Sequence, residues 1–359
     1  MIKTTVKASR TYDVLTGSGL LGSSGKIMRD AVPDAQKVLI VSETNVAPLY
    51  LDTVKKSALE NGFEVYEYIF EAGEKSKNIT SIAGMWGVMA KAGFTRTDLL
   101  VALGGGVTGD MGGFAASTFL RGINVVQIPT SLLSMVDASV GGKTGIDLPE
   151  GKNQVGAFWQ PSVVIEDTDC LKSLPDEVFT EGMAEVIKYA FIMDRELYKL
   201  LTDNMTCGVA IRDDALLLEK IVGMCVADKA DVIMSDEFDN GRRQILNYGH
   251  TVGHVIERNS NFGKPHGICV AKGMGIIIDA CVRAGTLSSG DAAKMKELIT
   301  AYGLPVSDGI TAEEAVAGAM NDKKKRGSNL SVILVNEIGN AEIKKMTSDE
   351  FLAFLEKES

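Results

Sequence analysis

Between residues 37 and 129 short apolar runs alternate with helical segments, an order that few folds accommodate. Lys37-Val38-Leu39-Ile40-Val41-Ser42 reads as a buried strand, and a 3.6-residue period follows over 48–61. Residues 63–70 alternate like a half-exposed strand, 78–92 reads as a helix, and Leu99-Leu100-Val101-Ala102-Leu103 is again wholly apolar. Another helical stretch leads to the strand Asn124-Val125-Val126-Gln127-Ile128-Pro129. Apolar strands joined through helices imply a mainly parallel sheet with both faces covered.

The pattern changes near Leu174-Pro175-Asp176. Beyond it, helical periodicity dominates, over 176–191, 195–202, 215–234, 242–258, 268–284, 288–302 and 312–320. One late strand, Leu330-Ser331-Val332-Ile333-Leu334-Val335, either rejoins the sheet or forms a hairpin. The expected organisation is an α/β, Rossmann-like domain over 1–175 and an all-α domain over 176–359. A length of 359 residues suits two cores rather than one.

Composition narrows the function. The net charge of −10 argues against non-specific nucleic-acid binding, and no apolar run reaches the ~18 residues of a membrane span. The N-terminal Met1-Ile2-Lys3-Thr4-Thr5-Val6-Lys7 lacks a signal-peptide core. Five cysteines without C-x-x-C spacing read as reduced cytoplasmic thiols.

The strand at 99–103 ends in Gly104-Gly105-Gly106-Val107-Thr108-Gly109-Asp110, ahead of helical sequence. Glycines admit a close ligand approach, and free N–H groups at a helix start suit a pyrophosphate. This is not the G-x-G-x-x-G fingerprint, and a plain tight turn would also explain it. Two more strand ends, Ala72-Gly73-Glu74-Lys75-Ser76-Lys77 and Pro129-Thr130-Ser131, would meet the first at the carboxyl edge of a parallel sheet. A polar stretch follows: Asp137, Gly141-Gly142-Lys143-Thr144-Gly145 and Gly151-Lys152-Asn153. With Arg121 these lysines suit an anion, although each alone could be a solvated loop residue.

All three histidines, His250, His254 and His266, fall within 250–266. His250 and His254 share a helix face, and imidazole serves as metal ligand or base. Glu181, Glu185 and Lys188 form a helical stripe that reads either as an exposed salt-bridged face or as the source of a carboxylate completing a His₂Glu metal set. Spacing does not say which Glu joins which two histidines, and an H-x-x-x-H reading would leave His266 aside. Arg243, Asn247 and His250 would share one helix face suited to a carboxylate or phosphate. Asp322-Lys323-Lys324-Lys325-Arg326 is a charge run that is either solvated or lends one lysine to the substrate.

Taken together, Gly104-Gly105-Gly106-Val107-Thr108-Gly109-Asp110, Met135-Val136-Asp137-Ala138-Ser139-Val140-Gly141-Gly142-Lys143-Thr144 and Gly151-Lys152-Asn153 resemble the 3-dehydroquinate synthase family. So do Gly182-Met183-Ala184-Glu185-Val186-Ile187-Lys188, Leu246-Asn247-Tyr248-Gly249-His250-Thr251-Val252-Gly253-His254 and His266-Gly267. The resemblance implies an NAD-binding Rossmann-like domain, a helical domain and a homodimer. It implies zinc, with cobalt as an alternative, on Glu185, His250 and His266, and His254 turned toward substrate. Cofactor contacts are implied for Glu74, Lys77, Gly105, Gly106, Val107, Asp110, Thr130, Ser131, Leu133, Lys143, Lys152, Cys170 and Ser173. Phosphate contacts are implied for Lys152, Asn153, Arg121, His254 and a lysine of the 323–325 run, taken as Lys324. Lys229 and Arg243 fall to the substrate carboxylate, and Asp137, Lys143, Lys188 and Asn247 line the substrate.

The implied substrate is an anionic sugar phosphate, 3-deoxy-D-arabino-heptulosonate 7-phosphate. The implied chemistry is transient oxidation with NAD, phosphate elimination, re-reduction, ring opening and internal aldol closure, within the shikimate pathway to aromatic amino acids. Other sugar-phosphate cyclases and a glycerol-dehydrogenase-like oxidoreductase compete with this reading. A zinc-stabilised nucleotide-binding protein would need four closed ligands, typically with Cys, and only Cys269 lies close in sequence to a histidine.

Overall fold

The computed structural model describes residues 1–260, 263–323 and 329–356. The chain forms two compact units, Met1–Leu174 with Arg212–Phe238, and Pro175–Ile211 with Asp239–Ser359.

The first unit is built on a seven-stranded sheet. Its strands are β1 (Ile2–Lys7), β2 (Thr11–Gly17), β3 (Lys37–Glu43), β4 (Glu64–Phe70), β5 (Leu99–Gly104) and β6 (Asn124–Pro129). A separate antiparallel hairpin, β7 (Lys143–Leu148) and β8 (Gly151–Phe158), precedes the last strand, β9 (Val163–Asp167). The order is β1-β2-β9-β6-β5-β3-β4, parallel except for the β1–β2 edge. Every residue of β5 is buried, as its unbroken apolar run requires. Helices α1 (Ser24–Ala31), α2 (Ala47–Glu60), α3 (Ile79–Lys91) and α4 (Gly106–Thr118) cover the sheet. The α3 start is fixed by Asn78, whose side chain accepts from the N–H groups of Thr80 and Ser81. On one face Leu39, Val41, Leu100 and Ala102 pack against Ile82, Met85 and Met89 of α3 and Met111 and Phe114 of α4. Burying each large side chain contributes roughly 1.5–3 kcal/mol.

Because β3, β4, β5, β6 and β9 are parallel, their carboxyl ends share one edge. β4 flanks β3 on one side and β5, β6 and β9 lie on the other, so the strand order reverses beside the glycine turn that follows β5. That reversal is where open α/β sheets bind ligands. Deeper in the sheet, Thr16 and Glu166 face each other in register on β2 and β9, and the Thr16 hydroxyl donates to Glu166 Oε2 at 2.7 Å.

The second unit opens with α5 (Asp176–Ile192) and α6 (Arg195–Asp203). The chain then returns to the first unit for α7 (Ala215–Ser235), which packs on β1 and β2. The all-helical stretch expected from 176 onward is therefore interrupted, and residues 212–238 belong with the sheet. Gly223 explains the close fit, since a Cβ there would lie 2.7 Å from Ile2 Cδ1. The second unit resumes with α8 (His250–Asn259), α9 (His266–Ala284), α10 (Ser289–Ala301) and α11 (Ala312–Lys323). The late strand forms a hairpin, β10 (Leu330–Glu337) with β11 (Asn340–Met346), ahead of α12 (Ser348–Glu356). Among the described residues no helix is long and apolar enough to cross a membrane.

Candidate active site

Three helices of the second unit bring its chemistry together. Gly249 lies against Val270 and Met274, and Gly253 against Cys269 and Val270, so α8 and α9 pack as an antiparallel pair. A side chain at Gly273 would collide with the Gly249 carbonyl, which is why small residues occupy this crossing. At the start of α9, a Cβ on Gly267 would strike the carbonyl of Glu181 on α5. That contact sets His266, the first residue of α9, one helical turn of α5 from Glu185.

The result is a compact donor set. Glu185 Oε1 lies 3.5 Å from His250 Nε2 and 3.6 Å from His266 Nε2. Tetrahedral zinc with bonds of about 2.0–2.1 Å needs donor atoms roughly 3.4 Å apart, so the spacing fits one ion. Glu185 is 1% exposed, and neither oxygen accepts a well-formed hydrogen bond. Lys188, also 1% exposed, forms an ion pair with Oε2, leaving Oε1 toward the imidazoles. A buried carboxylate with one oxygen aimed at two imidazole nitrogens is a fitting place for a cation. The nitrogens of His250, His254 and His266 also lie within 4.8 Å of one another, but His254 is exposed.

Charge follows this arrangement. Burial works to raise Glu185, but Lys188 and the two imidazoles hold it well below the usual carboxylate range. Burial drives the His250 imidazole down to about 3, leaving it a neutral donor. Burial opposes protonation of His266, yet Glu185 and Glu257 on its two sides lift it to about 10. Of the two readings of the Glu181, Glu185 and Lys188 stripe, the exposed salt-bridged face does not hold for Glu185 and Lys188, which are core residues of α5.

Arg243, Asn247 and His250 do not share a helix face. Arg242–Asn247 is a tight 3₁₀ segment, and Gly249 in the left-handed region (φ 78°) separates it from α8. Arg243 is buried and Asn247 half-buried. Lys324 lies outside the described residues.

In the first unit the carboxyl edge collects the expected cofactor groups. Glu74 follows β4, Gly105 to Asp110 follow β5, Thr130, Ser131 and Leu133 follow β6, and Cys170 and Ser173 follow β9. None of Gly104, Gly105 and Gly106 adopts a positive φ. Space is the reason for glycine at Gly104, where a Cβ would strike Thr108, while one at Gly105 would make only an ordinary contact, 3.6 Å from Ser131 Oγ. The bare backbone of Gly105 and Gly106, at the start of a 13-residue helix, is suited to a phosphate. The Cys170 thiol is buried and pushed up by burial, and its carbonyl accepts from the Tyr50 and Ser173 hydroxyls at 3.2 and 3.0 Å.

Lys77 is buried and donates to Asp110 Oδ2 and to Asn153 Oδ1, each at 2.6 Å. It therefore ties β8 to α4, and Asn153 is held by protein. Lys152 pairs with Glu74 at 3.5 Å. Asp137 sits on a single wide turn over Ser134–Ala138, and Lys229 of α7 donates to its Oδ1 at 2.7 Å and to its carbonyl. Lys143 is exposed at the start of β7. Arg121 stands apart. It follows α4, at the amino edge where β6 begins, opposite the glycine turn.

Two groups were not anticipated. Glu257 faces the second ring nitrogen of His266, with Nδ1 to Oε2 at 3.3 Å, and the Tyr248 carbonyl meets His250 Nδ1 at 3.0 Å. Glu257 was visible in principle, since His250, His254 and Glu257 form an i, i+4, i+7 stripe.

A parallel sheet with a glycine turn at its carboxyl edge suits a nucleotide, and a helical unit with a carboxylate–imidazole donor set suits a metal ion. The fold is similar to that of 2-epi-5-epi-valiolone synthase from Streptomyces hygroscopicus, solved with NAD+ and Zn2+ bound, at a TM-score of 0.88 and 25% identity over 99% of this chain and 98% of that one. The models "3-dehydroquinate synthase N-terminal" and "3-dehydroquinate synthase C-terminal" match residues 67–181 and 182–325. The 3-dehydroquinate synthase of Clostridium acetobutylicum is 39% identical, covering 96% of each chain. That of Prochlorococcus marinus is 43% identical over 94% of this chain and 91% of its own. The chain belongs to the 3-dehydroquinate synthase family.

Proposed function

We propose that this chain converts 3-deoxy-D-arabino-heptulosonate 7-phosphate to 3-dehydroquinate and phosphate. The observation that carries the reading is the approach of His250 and His266 to the buried, hydrogen-bond-free Oε1 of Glu185, in a chain of this family. Glu185, His250 and His266 would hold the metal, zinc or alternatively cobalt. The glycine turn at 105–106 would hold the NAD pyrophosphate. A metal there supplies Lewis-acid polarisation of a substrate hydroxyl, and NAD supplies reversible hydride acceptance.

The remaining work falls to the chain itself. Lys188 keeps Glu185 ionised and placed. We assign Arg243 and Lys229 to the substrate carboxylate, Lys152, Asn153 and His254 to its phosphate, and Asp137, Lys143 and Asn247 to its hydroxyls. Departing phosphate can accept the proton lost in elimination, so no strong protein base is required. Because phosphate leaves by elimination, the enzyme is a carbon–oxygen lyase; we place it in the cytoplasm as a homodimer.

Phosphate release from the heptulosonate substrate should require both NAD and a divalent metal and should leave no net NADH. Accumulating NADH would point to a dehydrogenase, and turnover only of sedoheptulose or glucose phosphates to another cyclase. His254→Ala should keep its metal and lose turnover, whereas metal loss in that variant would move His254 into the ligand set.

A further inference from the structure

The ring of His266 stands between two carboxylates. Its Nε2 is 3.6 Å from Glu185 Oε1 and its Nδ1 is 3.3 Å from Glu257 Oε2. His250 differs, for its Nδ1 meets a neutral acceptor, the Tyr248 carbonyl at 3.0 Å. The two imidazoles also differ in support. His250 is 12% exposed, whereas His266, at the first position of α9, is 31% exposed and less confined by packing. Something other than packing must therefore hold its ring.

Glu257 is suited to that task. It is 8% exposed, and it lies seven residues after His250 on the same face of α8. Ser260 and Lys264, which lie between α8 and α9, are themselves restrained. The Ser260 hydroxyl donates to the Glu257 carbonyl at 2.6 Å, and the Lys264 N–H donates to Ser260 Oγ at 3.2 Å. Asp308 then holds Lys264 at 2.9 Å and Lys272 at 2.6 Å, from either side of His266 in the chain. Backbone position is fixed by these contacts; ring orientation is left to Glu257. An anionic acceptor on Nδ1–H fixes the tautomer with its free lone pair on Nε2 and raises the donor strength of that nitrogen.

We propose that Glu257 is a positioning residue that locks the His266 ring, turns Nε2 toward Glu185, and so sets the affinity of this site for a divalent cation. The proposal rests on the reading of Glu185, His250 and His266 as ligands, and the experiment separates the two. Metal-free protein would be titrated with zinc against a chelator, and with cobalt while its visible absorption is recorded. Glu257→Ala should bind about 10–100-fold more weakly. Glu257→Gln keeps an acceptor and loses the charge, so it should fall between wild type and Glu257→Ala and shift the cobalt bands. His266→Ala should lose the site. Wild-type affinity in His266→Ala would overturn the ligand reading itself. Loss in His266→Ala, with wild-type affinity and spectrum in both Glu257 variants, would overturn the role of Glu257 alone. Melting of the metal-free proteins checks folding, and should Glu257→Ala fail to fold, Glu257→Gln decides.

Discussion

Among the described residues the most deeply buried glutamates are Glu166 in the first unit and Glu185 in the second, and the two carry different charge states. Burial lifts Glu166 to about 8, against the weaker pull of the Thr16 and Ser139 hydroxyls and the charge of Lys229, so it is a neutral acid at pH 7. Burial pushes Glu185 the same way, but Lys188 and two imidazoles reverse the outcome. Desolvation is common to both. What differs is the company each carboxyl keeps, and only the ionised one offers an oxygen to a cation.

Replacing Glu185 with Gln should give the largest effect. It removes the charge that faces His250 and His266, and metal affinity and turnover should each fall by more than ~10²-fold, beyond the loss expected for an outer partner. Glu166→Gln should leave metal content unchanged, as read by atomic absorption after dialysis. Equal metal loss in both variants would erase the contrast. Next in size is Lys188→Met, which leaves Glu185 buried without its cation; unfolding by urea should show about 3–5 kcal/mol of lost stability in the metal-free protein. A shift below ~1 kcal/mol would mean that the imidazoles alone suffice.

A pH-dependent test sharpens the other half. The folded pKa of Glu166 is raised to about 8 from an ordinary 4.5, so the folded state holds an extra proton between those values. Stability then falls as pH rises through this window and levels off above it. Gln does not titrate, so the unfolding midpoint of Glu166→Gln should gain on wild type between pH 5.5 and 8.5. A constant offset would show that Glu166 is already ionised when folded.

Strands whose two faces are covered were plain in the sequence, as β3, β5 and β6 show, because burial on both sides demands unbroken apolar runs. The β7–β8 hairpin was not, since its residues are largely polar or exposed and its order comes from backbone pairing. The α7 helix was legible as a helix. Its partner was not, because periodicity reports that a face is covered and never by what. The shared face expected for Arg243, Asn247 and His250 failed at one residue, the left-handed Gly249. Arg121 stands at the amino edge of its own sheet for a geometric reason that sequence could have supplied. A 13-residue helix rises about 20 Å, which carries the chain from one sheet edge toward the other. The proposed metal donors were gathered by family likeness rather than by spacing, since Glu185 and His266 lie about eighty residues apart on helices that are not neighbours in sequence.

The return of α7 to the first unit bears on how this polypeptide can be divided. The family models meet at 181–182, yet the sheet finds its covering helix some forty residues further on. A gene fragment ending at Leu174 would encode β1 without the surface against which Ile2 rests. An autonomous nucleotide-binding module would need residues 212–238 rejoined to it by a linker, a splice that follows contact rather than chain order.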